Sequence, residues 1–511
     1  MNNKRAGHVA QDIVFWVCFC LLVFGASYWL FKILMPPVEP QEIKPLLAPT
    51  GFAAKDVAGN VVAPFEFSSA VLAEPDDFRA DIRAAVELIA EHFSYLEHRR
   101  KISNLDLGLL EERALALLGG QPTAVSFKEA LTVLIAGLCD GHAAIAQKKF
   151  VRLGEYRWPF SLVEVEEGVI VDGLNLVAGS SPYVVPPIGP GESDPMDTIQ
   201  RGDVLIAVAG RPIEDWIEEA QSFVFSSTDA ARRRMAIQKL GRFDKVPVRE
   251  FKFNRPGKGE FSIEFKLYRS YVDLEKPSAL QSDRTHRLIE ENIGYFRPGD
   301  FSPPPVENWE SRPDLRDQVL SQTYADFDEI IGDLESSEGL ILDLRGNPGG
   351  TDLLGQFLVH RIVDPGYVYY QLSSKVAGQW GNFHESKPTP PAAKHSLRGP
   401  LVCLLDEYTL STADNVAACL DDVHPDVTFV GRPNGAGTGA PRFFKLPRTG
   451  ASIRFCTMRV KTPSGRMAEG ISVPIDIPIV WTREDLLAGR DPDIAAAIEF
   501  LQGRLAEKTD R

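Results

Sequence analysis

The sequence predicts an α/β protein whose largely parallel sheet is covered by helices, with a helical part and a β-rich part ahead of it. Three observations carry that prediction. After Asn292 short apolar runs alternate with helical patterns; between 76 and 157 apolar residues repeat at steps of three and four; from 158 to 270 the apolar runs are short and β-rich.

At 511 residues the chain exceeds one ordinary core, and 44% hydrophobic with 24% charged residues is the content of folded protein, so two or three domains are expected. A formal net charge of −15 without a basic stripe excludes a nucleic-acid partner. Six cysteines are too few for a disulfide scaffold and form no CxxC pair with metal-ligand spacing, so no metal and no cofactor is expected. Cys18 and Cys20 lie in the apolar N-terminal segment. Cys139, Cys403, Cys419 and Cys456 read as small buried hydrophobes.

Residues 1–12 form a short N-terminus, 13–35 an anchor and 36–75 a Pro-containing tether. The anchor rests on Ile13 to Phe31, 19 residues without a charge, enough for a helix to cross most of a ~30 Å hydrocarbon core. A cleaved signal peptide is the alternative, with Gly25, Ala26 and Ser27 as its small residues, although Tyr28, Trp29 and Leu30 continue the apolar run. Lys4 and Arg5 precede the run and Lys32 follows it, which sets the N-terminus in the cytoplasm. The bulk then lies outside as a single-pass membrane protein, in the periplasm if the source is bacterial.

In the helical part, 76–157, Ile82, Val86, Ile89, Phe93 and Leu96 share one face. A further helix is expected from Ser126, as N-cap with Glu129 completing a capping box, through Phe127, Leu131, Leu134 and Leu138. It should end at Asp140-Gly141-His142, with Gly141 in the left-handed conformation. In the β-rich part, 158–270, the phrase Arg201-Gly202-Asp203 to Ile213 resembles the strand-and-turn of PDZ domains. That resemblance implies a groove that binds peptides by strand addition, or a spacer that merely carries the fold. Gly179 to Pro195 is a Pro/Gly/Ser-rich insertion.

In the last part, 271–511, buried strands are expected at Ile293 to Phe296, Gly339 to Leu344, Leu401 to Leu405 and Val427 to Val430. Helices are expected at about 314–335, 352–363 and 411–422. Ligands of such sheets sit beyond the carboxyl ends of the strands. Two of those ends carry chemistry. The run Asp343-Leu344-Arg345-Gly346-Asn347-Pro348-Gly349-Gly350 is a glycine-rich turn into a helix; it lacks both the P-loop and the dinucleotide pattern, and alone it reads as a tight turn. Leu401 to Leu405 leads to Ser411-Thr412-Ala413-Asp414 at a helix start. Such a serine is ordinarily an N-cap, yet the position also sets a nucleophile at the positive end of the macrodipole and offers the Thr412 N–H to an oxyanion.

The DLRGNPGG turn, followed about 60 residues later by SxxD opening a helix, resembles the tail-specific or carboxy-terminal processing serine proteases, including their tricorn-core-like branch. The resemblance spans about 75 to 505 and implies a helical N-terminal subdomain, a PDZ-like domain and a crotonase-like α/β core. It puts the nucleophile on Ser411 and an oxyanion donor on Gly349 or Gly350, with Asp414 where the family usually has Glu. The common branch activates its serine with a lysine about 25 residues downstream, whereas no lysine occurs here between Ser411 and Lys445. An unactivated serine is a poor nucleophile near neutral pH. The other branch uses a histidine ahead of the PDZ-like part and a glutamate late in the core. Leu138 to Ala143 is similar to its DxH element, and Arg466 to Asp476 to its E-x-x-G-V-x-P-D phrase.

That branch implies His142 as general base, Glu469 as the group orienting it directly or through a relay, and the N–H groups of Thr412 and Gly349 or Gly350 as oxyanion hole. His142 as a helix cap and Glu469 as a surface carboxylate are the alternatives. The implied function is a membrane-anchored serine peptidase that cleaves polypeptides through an acyl-enzyme. An inactive protein binding peptides or apolar ligands on the same scaffold is the alternative, and an esterase is a third reading. The oligomeric state is open.

Overall fold

A computed structural model describes residues 74–146, 156–174, 198–241, 248–269, 284–290, 292–303, 312–376, 378–388 and 390–509. The expected anchor, the tether up to residue 73, Cys18, Cys20 and the 179–195 insertion lie outside the described residues. Among the described residues no helix is long and apolar enough to cross a membrane.

The core is a six-stranded sheet in the order Thr285–Ile289, Ile293–Arg297, Gly339–Asp343, Leu401–Leu405, Val427–Gly431, Ile477–Pro478. Its first pair is antiparallel and the rest parallel. Every residue of Gly339–Asp343 and Leu401–Leu405 is buried, as befits strands covered on both faces. Alternation sorts the side chains. Leu340 and Leu342 pack with Phe327, Phe357 and Val416 from the helices Pro313–Leu334, Asp352–Ile362 and Thr412–Val423. Ile341, Val402 and Leu404 face Ala497 and Leu501 of the helix Pro492–Thr509 on the other side. Because Leu342 pairs with Cys403 and Asp343 with Leu404, the glycine-rich turn and the Ser411 turn leave the sheet side by side.

The helical part comprises Pro75–His92, Leu96–Ser103, Leu107–Leu118 and Ala124–Ala136. Two boundaries differ from expectation. Thr123, not Ser126, caps the fourth helix: its hydroxyl accepts the Ser126 N–H (3.1 Å) while the Ser126 hydroxyl accepts the Thr123 N–H (2.8 Å), closing the box three residues early. That helix stops at Ala136, and Cys139 (φ 56°), not Gly141, takes the left-handed conformation. Gly141 answers to space instead, since a Cβ there would lie 3.1 Å from both the Leu410 side chain and the Ser227 hydroxyl.

The helices do not close a core alone. Ile82, Phe127, Leu134 and Leu138 share one cluster with Phe444, Ile453 and Phe455. The strand Ala144–Ala146 pairs antiparallel with Ser452–Cys456, which in turn pairs with Pro441–Lys445. A long return from the α/β core is thus part of the helical part.

Between them, Phe160–Val165, Gly168–Leu174, Val204–Val208, Val248–Arg255 and Gly259–Lys266 form an antiparallel sheet in that order, with Arg211–Pro212 beside Val204–Val208. Its core is aromatic, with Trp158, Phe160, Phe251, Phe253 and Phe265 in contact. Asp203, from the recognised phrase, is buried and accepts bonds from the Arg255 guanidinium (2.7 Å) and the Gln200 N–H (2.8 Å), which pins the turn into this sheet.

Candidate active site

Asp406, just past the strand Leu401–Leu405, accepts the N–H groups of Gly346 (2.8 Å), Tyr408 (3.1 Å) and Thr409 (3.1 Å). The Thr409 hydroxyl donates to the Leu344 carbonyl (2.9 Å) and the Leu410 N–H to that of Asn347 (2.9 Å). The two turns are therefore one unit. Out of it rises Ser411, at φ 61° and ψ −121°, immediately before the helix Thr412–Val423. A non-glycine residue in that region stores on the order of 1–3 kcal/mol of strain and persists only where its surroundings over-determine it. Here the determinants are bonds from the Ser411 N–H to the Gly437 carbonyl (2.9 Å) and the Asp414 carboxylate (3.1 Å). The effect is a sharp strand-to-helix turn that presents the hydroxyl at the sheet's carboxyl edge.

Asp414 is buried and also accepts the Gly437 N–H (2.8 Å) and the Asn434 amide (2.6 Å). Burial pushes its carboxyl up to about 8 against the pull of those donors. Its place is behind the serine, as a tie between the helix start and the 434–437 segment.

The glycines divide their labour. The Gly349 N–H donates to the Asn347 side chain (2.9 Å), whereas the N–H groups of Gly350 and Thr412 have no acceptor among the described residues. The Thr412 hydroxyl donates to the Gly350 carbonyl (2.9 Å) and holds the two segments together. A Cβ on Gly349 would fall 2.6 Å from the Ser411 Cβ and 2.8 Å from the Thr412 nitrogen, and one on Gly350 2.3 Å from the Phe301 backbone. Both positions have positive φ, so only glycine fits this approach.

His142 is 9% exposed. Its N–H donates to Asp140 (2.8 Å) and its carbonyl accepts from Arg454 (2.8 Å). Ring Nδ1 lies 3.5 Å from Cys456 Sγ and 4.0 Å from an Asp140 oxygen. Burial lowers its pKa to about 4, with Asp140 opposing and Arg454 assisting, so at neutral pH the ring is the neutral imidazole a base requires. No hydrogen bond joins it to Ser411. The two reach adjoining residues of one segment: Ser411 donates to Gly437 and the Cys456 thiol to the Thr438 carbonyl (3.3 Å).

Glu469 is fully buried. Its carboxylate is held by the Arg99 guanidinium, the Ser227 hydroxyl (2.6 Å) and the Thr438 N–H (2.7 Å). It does not touch His142. The connection runs through Ser227, whose Oγ also accepts the Gly141 N–H (2.8 Å), one residue from the histidine. Burial raises the Glu469 carboxyl to about 7 and Arg99 opposes that rise. Gly470 (φ 72°) lies flat against the same guanidinium, where a Cβ would fall 2.3 Å from an Arg99 nitrogen.

Sequence reasoning missed Ser227, Arg99 and Cys456, and gave Asp140 no role of its own. The Asp-x-His spacing signals Asp140. Ser227 and Arg99 sit in no motif, and their importance arises only from the partner they share. The four described cysteines are free and buried, and Asp140, His142 and Cys456 form a donor group whose ligand atoms lie within 4.8 Å of one another.

Comparison with known proteins agrees with this architecture. A structure of mature CPAF complexed with lactacystin superposes with a TM-score of 0.64 at 17% identity, over 85% of this chain and 99% of that one. A CPAF point mutant gives 0.62 at 16% identity, over 81% and 94%. At such identities the likeness speaks to fold. No curated protein sequence matches the chain. Residues 292–479 match the profile of peptidase family S41. That match takes in the parallel strands, the glycine turn, Ser411 and Glu469, so residues 292–479 are similar to peptidase family S41, which supports a serine-type peptidase.

Proposed function

We propose that Ser411 is the nucleophile and His142 the general base of an acyl-enzyme peptidase. The observation that carries this reading is the left-handed backbone of Ser411, set between two N–H groups, Thr412 and Gly350, that have no acceptor among the described residues. In the reaction His142 Nε2 takes the hydroxyl proton as Oγ bonds to the scissile carbonyl carbon. The carbonyl oxygen becomes an oxyanion opposite the Thr412 and Gly350 N–H groups. The C–N bond then breaks, the imidazolium returns its proton to the leaving amine, and a water activated by the same ring hydrolyses the ester. The Asp140 carboxylate beside Nδ1 stabilises the imidazolium, and Glu469 acts at one remove, through Ser227. The serine–histidine bond forms when substrate closes the site, as catalytic bonds commonly tighten only then. The 158–270 sheet is read as a PDZ-like module beside this centre.

A fluorophosphonate probe tests the nucleophile on the full chain. Wild type is expected to label and Ser411→Ala to stay unlabelled; equal labelling of both refutes the assignment. The same reading places residues 13–35 in the membrane with the catalytic part outside the cytoplasm, supported by the uncharged run and by Lys4 and Arg5. A chain lacking residues 1–35 should move from alkali-washed membranes to the supernatant, and an unchanged distribution discards the anchor.

A further inference from the structure

Asp140 and His142 stand in the turn between the helix Ala124–Ala136 and the strand Ala144–Ala146, and Cys456 ends a strand more than 300 residues later. The fold nevertheless gathers one carboxylate oxygen, one imidazole nitrogen and one thiol into a buried group. The spacings are specific: Nδ1 to Sγ 3.5 Å, Oδ1 to Sγ 3.4 Å, Nδ1 to Oδ1 4.0 Å. Three ligands of a tetrahedral zinc ion, with bonds of about 2.0–2.3 Å, stand roughly 3.3–3.6 Å apart, so only the Asp140–His142 edge needs to shorten, by roughly half an ångström. The carboxylate is already fixed for this by the N–H groups of His142 (2.8 Å) and Cys456 (2.7 Å).

We propose that Asp140, His142 and Cys456 bind a zinc ion as an inhibitory site, with a water in the fourth position. The donor set is the mixed N, O and S kind that zinc accepts, and sulfur disfavours magnesium and calcium. On binding, the Cys456 thiol releases its proton to solvent and gives up its bond to the Thr438 carbonyl. Thiolate and carboxylate then balance the two charges of the ion. Arg454 is the nearby cation that opposes the ion, its guanidinium being held on the His142 carbonyl.

The consequence follows from the imidazole itself. A neutral ring has one lone pair in its plane and one N–H. Metal on Nδ1 puts the proton on Nε2, whereas a base facing Ser411 through Nε2 needs its lone pair there. Zinc occupancy and general-base catalysis therefore exclude each other. The site stands on geometry alone; its inhibitory effect rests on the assignment of His142 as base.

The test uses the full chain, reduced and freed of metal, titrated with cobalt(II) as a spectroscopic stand-in. A thiolate-to-cobalt charge-transfer band that zinc displaces is expected in wild type and absent from Cys456→Ser; Asp140→Asn should weaken it. Circular dichroism confirms that the variants are folded. No band in wild type, or a band retained by Cys456→Ser, overturns the site. Fluorophosphonate labelling of the same samples reads the consequence: zinc at ten times its dissociation constant should slow labelling about tenfold, reversed by chelator. A band without any change in labelling overturns the inhibitory effect and with it the role of His142, while leaving the site intact. Labelling lost in Ser411→Ala but insensitive to zinc in a wild type without the band overturns the site and spares the peptidase reading.

Discussion

Ser411→Ala, His142→Ala and the double variant are each expected to lose the same factor in kcat, about 10⁴–10⁶, with no further loss on combining them. Nucleophile and base act as a unit: without the imidazole the hydroxyl keeps its proton, and without the hydroxyl the imidazole has nothing to activate. KM should change little, because neither side chain anchors the flanking polypeptide. The residue of activity that survives belongs to the Thr412 and Gly350 N–H groups, which stabilise an oxyanion whatever attacks the carbonyl. Steady-state cleavage of a fluorogenic peptide measures all three. Losses that multiply, or a His142→Ala variant within tenfold of wild type, would show that the ring is not the base. His142 is suited to the role by burial, which keeps it neutral, and its Nδ1 faces the Cys456 thiol at 3.5 Å and the Asp140 carboxylate at 4.0 Å. The outcome is a sharp discriminator because the resting structure leaves the ring and Ser411 unbonded.

What the sequence could disclose follows the range of the interactions. The runs Gly339–Asp343 and Leu401–Leu405 were legible because a strand buried on both faces must be apolar throughout, a local signature. The glycine turn and the serine turn were legible because each has a recognisable local form, and the parallel register with the Asp406 and Thr409 bonds brings them together. Gly470 could be read only as part of a phrase; its physical reason is the Arg99 guanidinium packed on it. Capping shows the limit at short range. Thr123 and Ser126 are both good caps, and the choice falls to whichever pair reciprocates. The core of the helical part was beyond reach, since Phe444, Ile453 and Phe455 complete it from the far end of the chain. Ser227 was equally invisible. It joins Glu469 to Gly141 by two hydrogen bonds, and nothing in its flanking Phe225-Ser226 or Thr228-Asp229 announces either.

Arg99→Met is expected to destabilise the fold by about 3–5 kcal/mol at alkaline pH, because it leaves Glu469 buried without its cation. Adding Glu469→Gln should return part of that loss: the amide oxygen still accepts the Thr438 N–H, the amide NH2 can donate to the Ser227 hydroxyl, and no unpaired charge remains. The pH dependence has a definite sign. Burial raises the folded-state carboxyl of Glu469 above its unfolded value of 4.5, to about 7. Between those values the folded chain holds a proton that the unfolded chain has released, so this group's contribution is complete below 4.5 and is lost as pH rises through 7. Arg99 is the cause that opposes the rise, and its removal lifts the carboxyl further and extends the penalty to higher pH. The deficit of Arg99→Met relative to wild type should therefore be smallest near pH 5, where the Glu469 carboxyls of both proteins are neutral, and should grow by about 1.4 kcal/mol for each unit above pH 7 until the variant's carboxyl ionises. Urea denaturation of both proteins near pH 5 and near pH 8 measures it, and differences between variants cancel the titration of every group they share. A deficit equal at both pH values would mean that Arg99 stabilises by packing on Gly470 and by its bond to the Ser227 carbonyl (2.8 Å) rather than by neutralising Glu469. In that case Glu469 would not be the charged end of a relay to the Gly141 backbone, and His142 would depend on Asp140 alone.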